Sequence, residues 1–223
     1  TFGNEPSIAY NGSNISVDAL RAEASVFDDF LVNQSRRVIN YIRGKDQDVF
    51  TSGTSPAYVL PAFRNRQVDY DADGVVETWR LGDIVYSTPT AVGRPSEGYH
   101  LLYRDDSYAS YLSEFQDRRT VVYAGANDGM FHAFNGGFYD SSSKTYNRTS
   151  DGTNESDALP LGAELWAYVP YNLLPHLYWL TEATYPHVYY CDLKPKVFDA
   201  KILPDDTHYT DTDTEPNWGT FLI

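Results

Sequence analysis

The sequence predicts a mainly β protein introduced by one amphipathic helix, and three observations carry that expectation. From Ile84 onward, apolar and polar side chains alternate with period two, the spacing of a pleated strand. The composition is 15% aromatic and includes 19 Tyr, side chains that suit a half-buried sheet, without the Ala/Leu/Glu/Lys excess of a helical bundle. Residues 17–43 carry apolar side chains three, four and seven apart, the spacing of an amphipathic helix.

In that stretch, "VDALRAEASVFDDFLVNQSRRVINYIR", the residues Val26, Phe27, Phe30, Leu31, Val38, Ile39 and Ile42 recur at helical spacing. Ser16 is positioned as its N-cap and Gly44 as its stop. Arg36, Arg37 and Arg43 lie late, where the helix dipole favours cations. The apolar face is expected to dock on the β-domain that follows. Residues 45–78 read as a connection punctuated by Gly, Pro and Asp. Strands are then expected at Ile84–Val92, interrupted by Pro89, and at Thr120–Ala126, Met130–Asn135, Glu164–Val169, Val188–Cys191, Val197–Leu203 and Trp218–Ile223. Asn127-Asp128-Gly129 marks a buried hairpin, with a two-residue loop of the primed type as the expected turn. Polar residues 136–162 read as a surface insertion between consecutive strands of one sheet, and residues 171–180 as a short helix that Pro175 shortens. The expected organisation is a helix and Asp-rich linker over 1–78, followed by a truncated β-domain over 79–223.

Charge and cysteine content exclude several function classes. The 31 acidic residues outnumber 17 Lys and Arg, and no basic stripe occurs, which argues against nucleic acid as a partner. Such an acidic, Tyr-rich chain suits a secreted or cell-surface protein and can attract calcium. Cys191 is the single cysteine, so no internal disulfide or cysteine-cluster metal site is available; it reads as a small buried hydrophobe. No apolar run approaches the roughly 20 residues of a membrane helix. The chain starts without Met or an apolar leader, so a mature or excised piece of something longer is expected.

Meandering antiparallel strands of this kind build one propeller blade in about 40–50 residues. The chain therefore holds about two blades, a partial β-propeller, where closure needs roughly four to eight. At this point the residues resemble a family. "WRLGDIVYSTPTAVG" (Trp79–Gly93), "VVYAGANDGMFHAFN" (Val121–Asn135), "ELWAYVPYNLLPHL" (Glu164–Leu177) and "WGTFLI" (Trp218–Ile223) are similar to the start of the C-terminal β-propeller of PilY-type type IV pilus tip-associated proteins. "INYIRGKDQ" (Ile39–Gln47) resembles the helix end that leads into it. Trp79, Gly82, Asp83, Ser87 and Pro89 match the family's entry strand, and Asn127, Asp128, Gly129, His132, Ala133 and Phe134 its first hairpin, all as framework positions. The resemblance implies a non-enzymatic cell-surface protein at the pilus tip, associated with the outer membrane, with a periplasmic location as the alternative. It implies roles in adhesion and in pilus assembly or retraction, with minor pilins, a host or solid surface and the remainder of its own propeller as partners. Quinone-cofactor dehydrogenases have similar blades and are the rival reading, as is a structural component of an extracellular assembly.

The chemically suggestive segment is "DYDADGVVE". It places Asp69, Asp71, Asp73 and Glu77 at loop positions 1, 3, 5 and 9, with Gly74 at the sharp turn and the Val75 carbonyl at position 7. Alternate side chains of such a loop converge on one centre, which suits calcium; an acidic surface turn is the alternative. Arg80 stands at position 12, where an EF-hand has Glu, so Asp83 or Asp46 would have to complete the shell. His132 reads as a packed core histidine, and the remaining histidines lack zinc spacing. Asp211–Glu215, "DTDTE", reads as a solvated loop. No nucleophile elbow, phosphate loop or zincin motif occurs, so no catalytic residues are assigned.

Overall fold

The computed structural model describes residues 8–153, 155–203 and 217–223. Asp211–Glu215 and His208 lie outside them. Strands account for 28% of residues and helices for 24%, so the chain is mainly β, with several antiparallel sheets and, among the described residues, no closed barrel, consistent with a partial propeller-like fold. It divides into two compact units, one of residues 1–83 with 170–189, the other of residues 84–169 with 190–223.

The first unit begins with a hairpin of β1 (Ile8–Tyr10) and β2 (Ser13–Ile15). Its loop is Asn11-Gly12, with φ of 47° and 75°, and this double positive φ is what a two-residue primed turn demands. The expected helix is broken in two. α1 (Val17–Leu20) is capped by the Ser16 hydroxyl, which accepts from Ala19 N at 3.2 Å, and α2 (Ala24–Ile42) follows after a turn. Gly44 ends it with φ of 90°. Residues 45–78, expected to be a connection, supply β3 (Phe50–Thr51), β4 (Tyr58–Leu60), β5 (Gln67–Val68) and β6 (Glu77–Thr78).

Strands β2-β1-β4-β3 form one antiparallel sheet, and the helices dock on it rather than on the later β-domain. Ile8, Leu20, Val26, Phe30, Tyr58 and Leu60 make the core, with Tyr10, Ile15, Val17, Phe27 and Phe50 packed against it. The buried face of α2 is therefore Val26, Phe30, Arg37 and Tyr41, whereas Leu31 and Ile39 stand about half exposed. Arg37 is buried because its guanidinium replaces water with carbonyls: it donates to Asp48 O at 2.8 Å and Pro61 O at 2.7 Å, and lies 4.4 Å over the Phe63 ring. Residues Tyr171–Thr181 form a 3-10 helix in this unit. Pro175 inside it lacks the N–H that an α-helical ladder requires.

The second unit is built on a meander. β7 (Thr90–Val92), β8 (Thr120–Gly125), β9 (Phe131–Asp140) and β11 (Glu164–Tyr168) pair antiparallel in chain order, with β10 (Thr145–Asn147) folding back on the outer half of β9. Four strands in sequence order are the content of one blade. β9 and β11 are direct neighbours, but the strand expected to end at Asn135 runs on to Asp140 and is followed by β10, so the segment between β9 and β11 is shorter than residues 136–162 and carries a strand of its own. Only the end of the expected strand Ile84–Val92 is formed. Ser87 instead bridges Leu193, and its hydroxyl accepts from Gly125 N at 2.8 Å. A Cβ at Gly125 would lie 2.7 Å from the Cys191 carbonyl, which explains glycine there. Val188–Cys191 forms no strand.

The hairpin turn differs from expectation. Ala126 N donates to Met130 O and Gly129 N to Ala126 O, giving a three-residue loop in which Gly129 alone has positive φ, 84°. Two further helices, α3 (Tyr99–Leu102) and α4 (Asp106–Phe115), pack beside the hairpin of β12 (Val197–Leu203) and β13 (Asn217–Leu222). Asp105 caps α4 by accepting from Tyr108 N at 3.1 Å. Tyr99, Tyr108 and Tyr111 gather around Trp218, with the Tyr108 and Trp218 ring centroids 4.8 Å apart.

Candidate metal-binding loop

Strands β5 and β6 are two residues each and pair Gln67 with Thr78 and Val68 with Glu77, so residues 69–76 are the loop of a small hairpin in the first unit. The loop turns through Ala72, φ 60°, and Gly74, φ 87°. Asp69 Oδ2 accepts from Gly74 N at 3.1 Å and Asp73 Oδ1 from Val75 N at 2.7 Å, which folds the chain back over its own carboxylates. Among the described residues, Asp69, Asp71 and Asp73 form a group whose carboxylate oxygens lie within 4.8 Å of one another. All three are exposed. The alternation read from the sequence thus does bring three acids together.

Glu77 stands outside that group. It sits in β6 with Oε2 buried and without a hydrogen-bond partner. The two acids considered as outside donors are engaged elsewhere. Asp46 accepts from Arg66, Gln67 and Thr78, with Gln67 Nε2 at 2.7 Å and Thr78 Oγ1 at 2.9 Å. Partial burial pushes its pKa up, but the bonds from Thr78, Arg66 and Gln67 and the Arg66 charge outweigh it, so it titrates below the usual carboxylate range. Asp83 pairs with His187 Nε2 at 3.0 Å. Arg80 Nε donates to Gly44 O at 2.9 Å, tying the strand after the loop to the end of α2. A hard cation could be held by Asp69, Asp71 and Asp73 with water completing the shell, as three exposed carboxylates permit.

Trp79 is 56% exposed and meets Tyr70 edge to face at 6.0 Å. Asn127 Oδ1 accepts from Tyr190 N at 3.1 Å, and Ala133 is fully buried. His132 is 3% exposed, as a packed core histidine should be, but it is also flanked by two acids.

Comparison with known proteins places the chain in context. Over 196 residues, 81% of this chain, it is 27% identical to a type IV pilus biogenesis factor PilY1 homolog of Xylella fastidiosa. A second such homolog from that organism is 29% identical over 188 residues, 79% of the chain. PilY1 of Pseudomonas aeruginosa is 30% identical over 126 residues, 54% of the chain. The chain is related to PilY1-type type IV pilus factors. It spans 13%, 10% and 9% of those three PilY1-type relatives. No family model matches the chain. No solved structure matches it. No helix among the described residues is long and apolar enough to cross a membrane.

Proposed function

We propose that the chain is a segment of a type IV pilus biogenesis factor, working without catalysis as a rigid β scaffold at the cell surface or in the periplasm. The observation that carries this reading is the similarity over 81% of the chain to a protein named for pilus biogenesis. The meander β7-β8-β9-β11 supplies the scaffold, and the loop through β10 is where it offers polar and aromatic groups to partners such as minor pilins. Adhesion to a host or solid surface and control of retraction belong to the same proposal. The test is fractionation of the tagged parent protein: it is expected with pili sheared from the cell, and confinement to the cytosol would overturn the reading.

Calcium in the Asp69–Asp73 loop is the second part of the proposal, supported by the three convergent carboxylates. An ion there would pin the β5–β6 hairpin. At tenfold excess over its Kd, calcium should stabilise the fold by about 1.4 kcal/mol, roughly 3–6 °C in Tm. Asp71→Asn should abolish that shift without lowering the Tm measured in chelator. An equal shift in the variant, or none in the parent at millimolar calcium, removes the ion from the account.

A further inference from the structure

The imidazole of His132 on β9 lies between two carboxylates on opposite ring nitrogens. Nε2 meets Asp128 Oδ2 at 3.1 Å and Oδ1 at 3.2 Å, from the loop joining β8 and β9. Nδ1 meets Glu164 Oε1 at 2.6 Å, from the first residue of β11. Ionised carboxylates only accept hydrogen bonds, so both contacts are satisfied at once only if both ring nitrogens carry protons. A neutral imidazole must set a lone pair against one of the acids. Because the acids sit on opposite sides of the ring, they do not converge on a point where a metal ion could sit.

We propose that His132 is an acid-engaged latch, whose imidazolium bridges Asp128 and Glu164 and whose loss of a proton to solvent releases β11 from β9. The two acids differ in which can let go. The Asp128 side chain is 11% exposed and also accepts from Met130 N at 3.1 Å, whereas that of Glu164 is 50% exposed and can turn to water. Among the described residues β11 pairs with β9 alone, its register slips between Glu164 and Trp166, and Trp166, which meets the Tyr123 ring at 5.8 Å, and Tyr168 are about half exposed. The polar segment that ends at Glu164 would loosen with it.

The remaining surroundings of His132 do not compete for the proton. Its cross-strand neighbours are Ala124 of β8 and Ala167 of β11, and the Phe134 ring stacks on it at 5.6 Å. Arg119 is committed to Asn135 Oδ1 at 2.6 Å. Cys191, which feels Asp128, has its thiol pushed up to about 11, by burial first and by Asp128 and Asp192 after it, and stays neutral through the relevant range. Burial alone would lower the His132 pKa, but the bonds and charges of Asp128 and Glu164 outweigh it and raise it. A raised folded pKa gives stabilisation that is complete below the unfolded value near 6.5 and lost as pH rises through the folded one.

The test is amide exchange across β11 in the whole chain between pH 5 and 9, corrected for intrinsic base catalysis. Each unit by which folding raises the His132 pKa corresponds to about tenfold in the opening equilibrium. Protection at Trp166 and Tyr168, which pair with Ala133 and Phe131 of β9, is expected to fall with rising pH by that factor, with smaller change across β8. Glu164→Gln should flatten the fall, and His132→Gln should abolish it, separating it from the titration of the other histidines. If His132→Gln does not fold, Glu164→Gln decides alone. Protection independent of pH in the parent, or an equal fall in Glu164→Gln, overturns the latch.

Discussion

Replacing Tyr58 with alanine should destabilise the first unit by about 3–5 kcal/mol, the cost of deleting a fully buried aromatic side chain. Tyr58 is fully buried at the centre of the core, edge-on to Phe30 with centroids 5.9 Å apart and tilted against Phe50. Its hydroxyl donates to Asp29 Oδ2 at 2.8 Å and accepts from Asn33 Nδ2 at 3.0 Å, so it also joins β4 to the middle of α2. Burial, foremost, pushes the phenol up to about 12 and keeps it a neutral donor. Tyr58→Phe retains the packing and removes only this link, costing about 1–2 kcal/mol. Urea unfolding of the three proteins checks the order. A cost below about 1 kcal/mol for alanine would mean that α2 is not seated on the β1–β4 sheet.

Asp199→Ala is expected to be nearly as damaging in the second unit, at about 2–4 kcal/mol, because it removes the acceptor of the buried Tyr108 hydroxyl and of the half-buried Thr220 hydroxyl. Asp199 is 5% exposed and accepts from Tyr108 Oη and from Thr220 Oγ1, both at 2.6 Å. Thr220 in turn accepts from Arg118 Nη2 at 2.9 Å, and Tyr111 Oη lies 2.9 Å from it. This network fastens α4 to the β12–β13 hairpin, with burial first and Asp199 after it holding the Tyr108 phenol well above its ordinary pKa. Asp199→Asn keeps the volume and one acceptor, so it should cost less, about 1 kcal/mol. Near-ultraviolet circular dichroism, which reports on Trp218 in the same cluster, should lose intensity in the alanine variant and retain it in the asparagine variant. Equal unfolding midpoints for the parent and Asp199→Ala would contradict the network.

The parts of the fold that were legible in the sequence are those written in local spacing. Period-two alternation located β8, β9, β11, β12 and β13, and helical spacing located α2. Turn geometry was less so. Asn127-Asp128-Gly129 makes a three-residue loop, while the two-residue primed turn falls at Asn11-Gly12, a dipeptide that signals such a hairpin directly. Strands β3, β5 and β6 are too short to show alternation. Counting only apolar side chains also mis-set the buried face of α2. Arg37 and Tyr41 are buried there because backbone carbonyls take up part of their polar ends, Arg37 Nη2 donating to Asp48 O and Pro61 O and Tyr41 Oη to Arg64 O at 3.2 Å. α4 carried a readable signal, an Asp105 cap ahead of Tyr108, Tyr111 and Phe115 at helical spacing.

The acidic loop was legible for the same reason, since its three convergent acids are neighbours in sequence. What surrounds them was not. Asp46 is claimed by Arg66, Gln67 and Thr78, and Arg80 by Gly44, through contacts 20 to 36 residues apart. The pairing of His132 with Glu164 spans 32 residues, and sequence reading found the histidine's burial but neither of its acids.

The central claim is that this chain is a working segment of a pilus biogenesis factor. It is tested most directly by counting surface pili on cells that carry the parent gene after in-frame removal of the segment encoding Trp79–Ile223. Cells should lose assembled pili and regain them when the intact gene is returned. Normal numbers of pili in the deletion strain, with the shortened parent protein present at its usual level, would contradict the account.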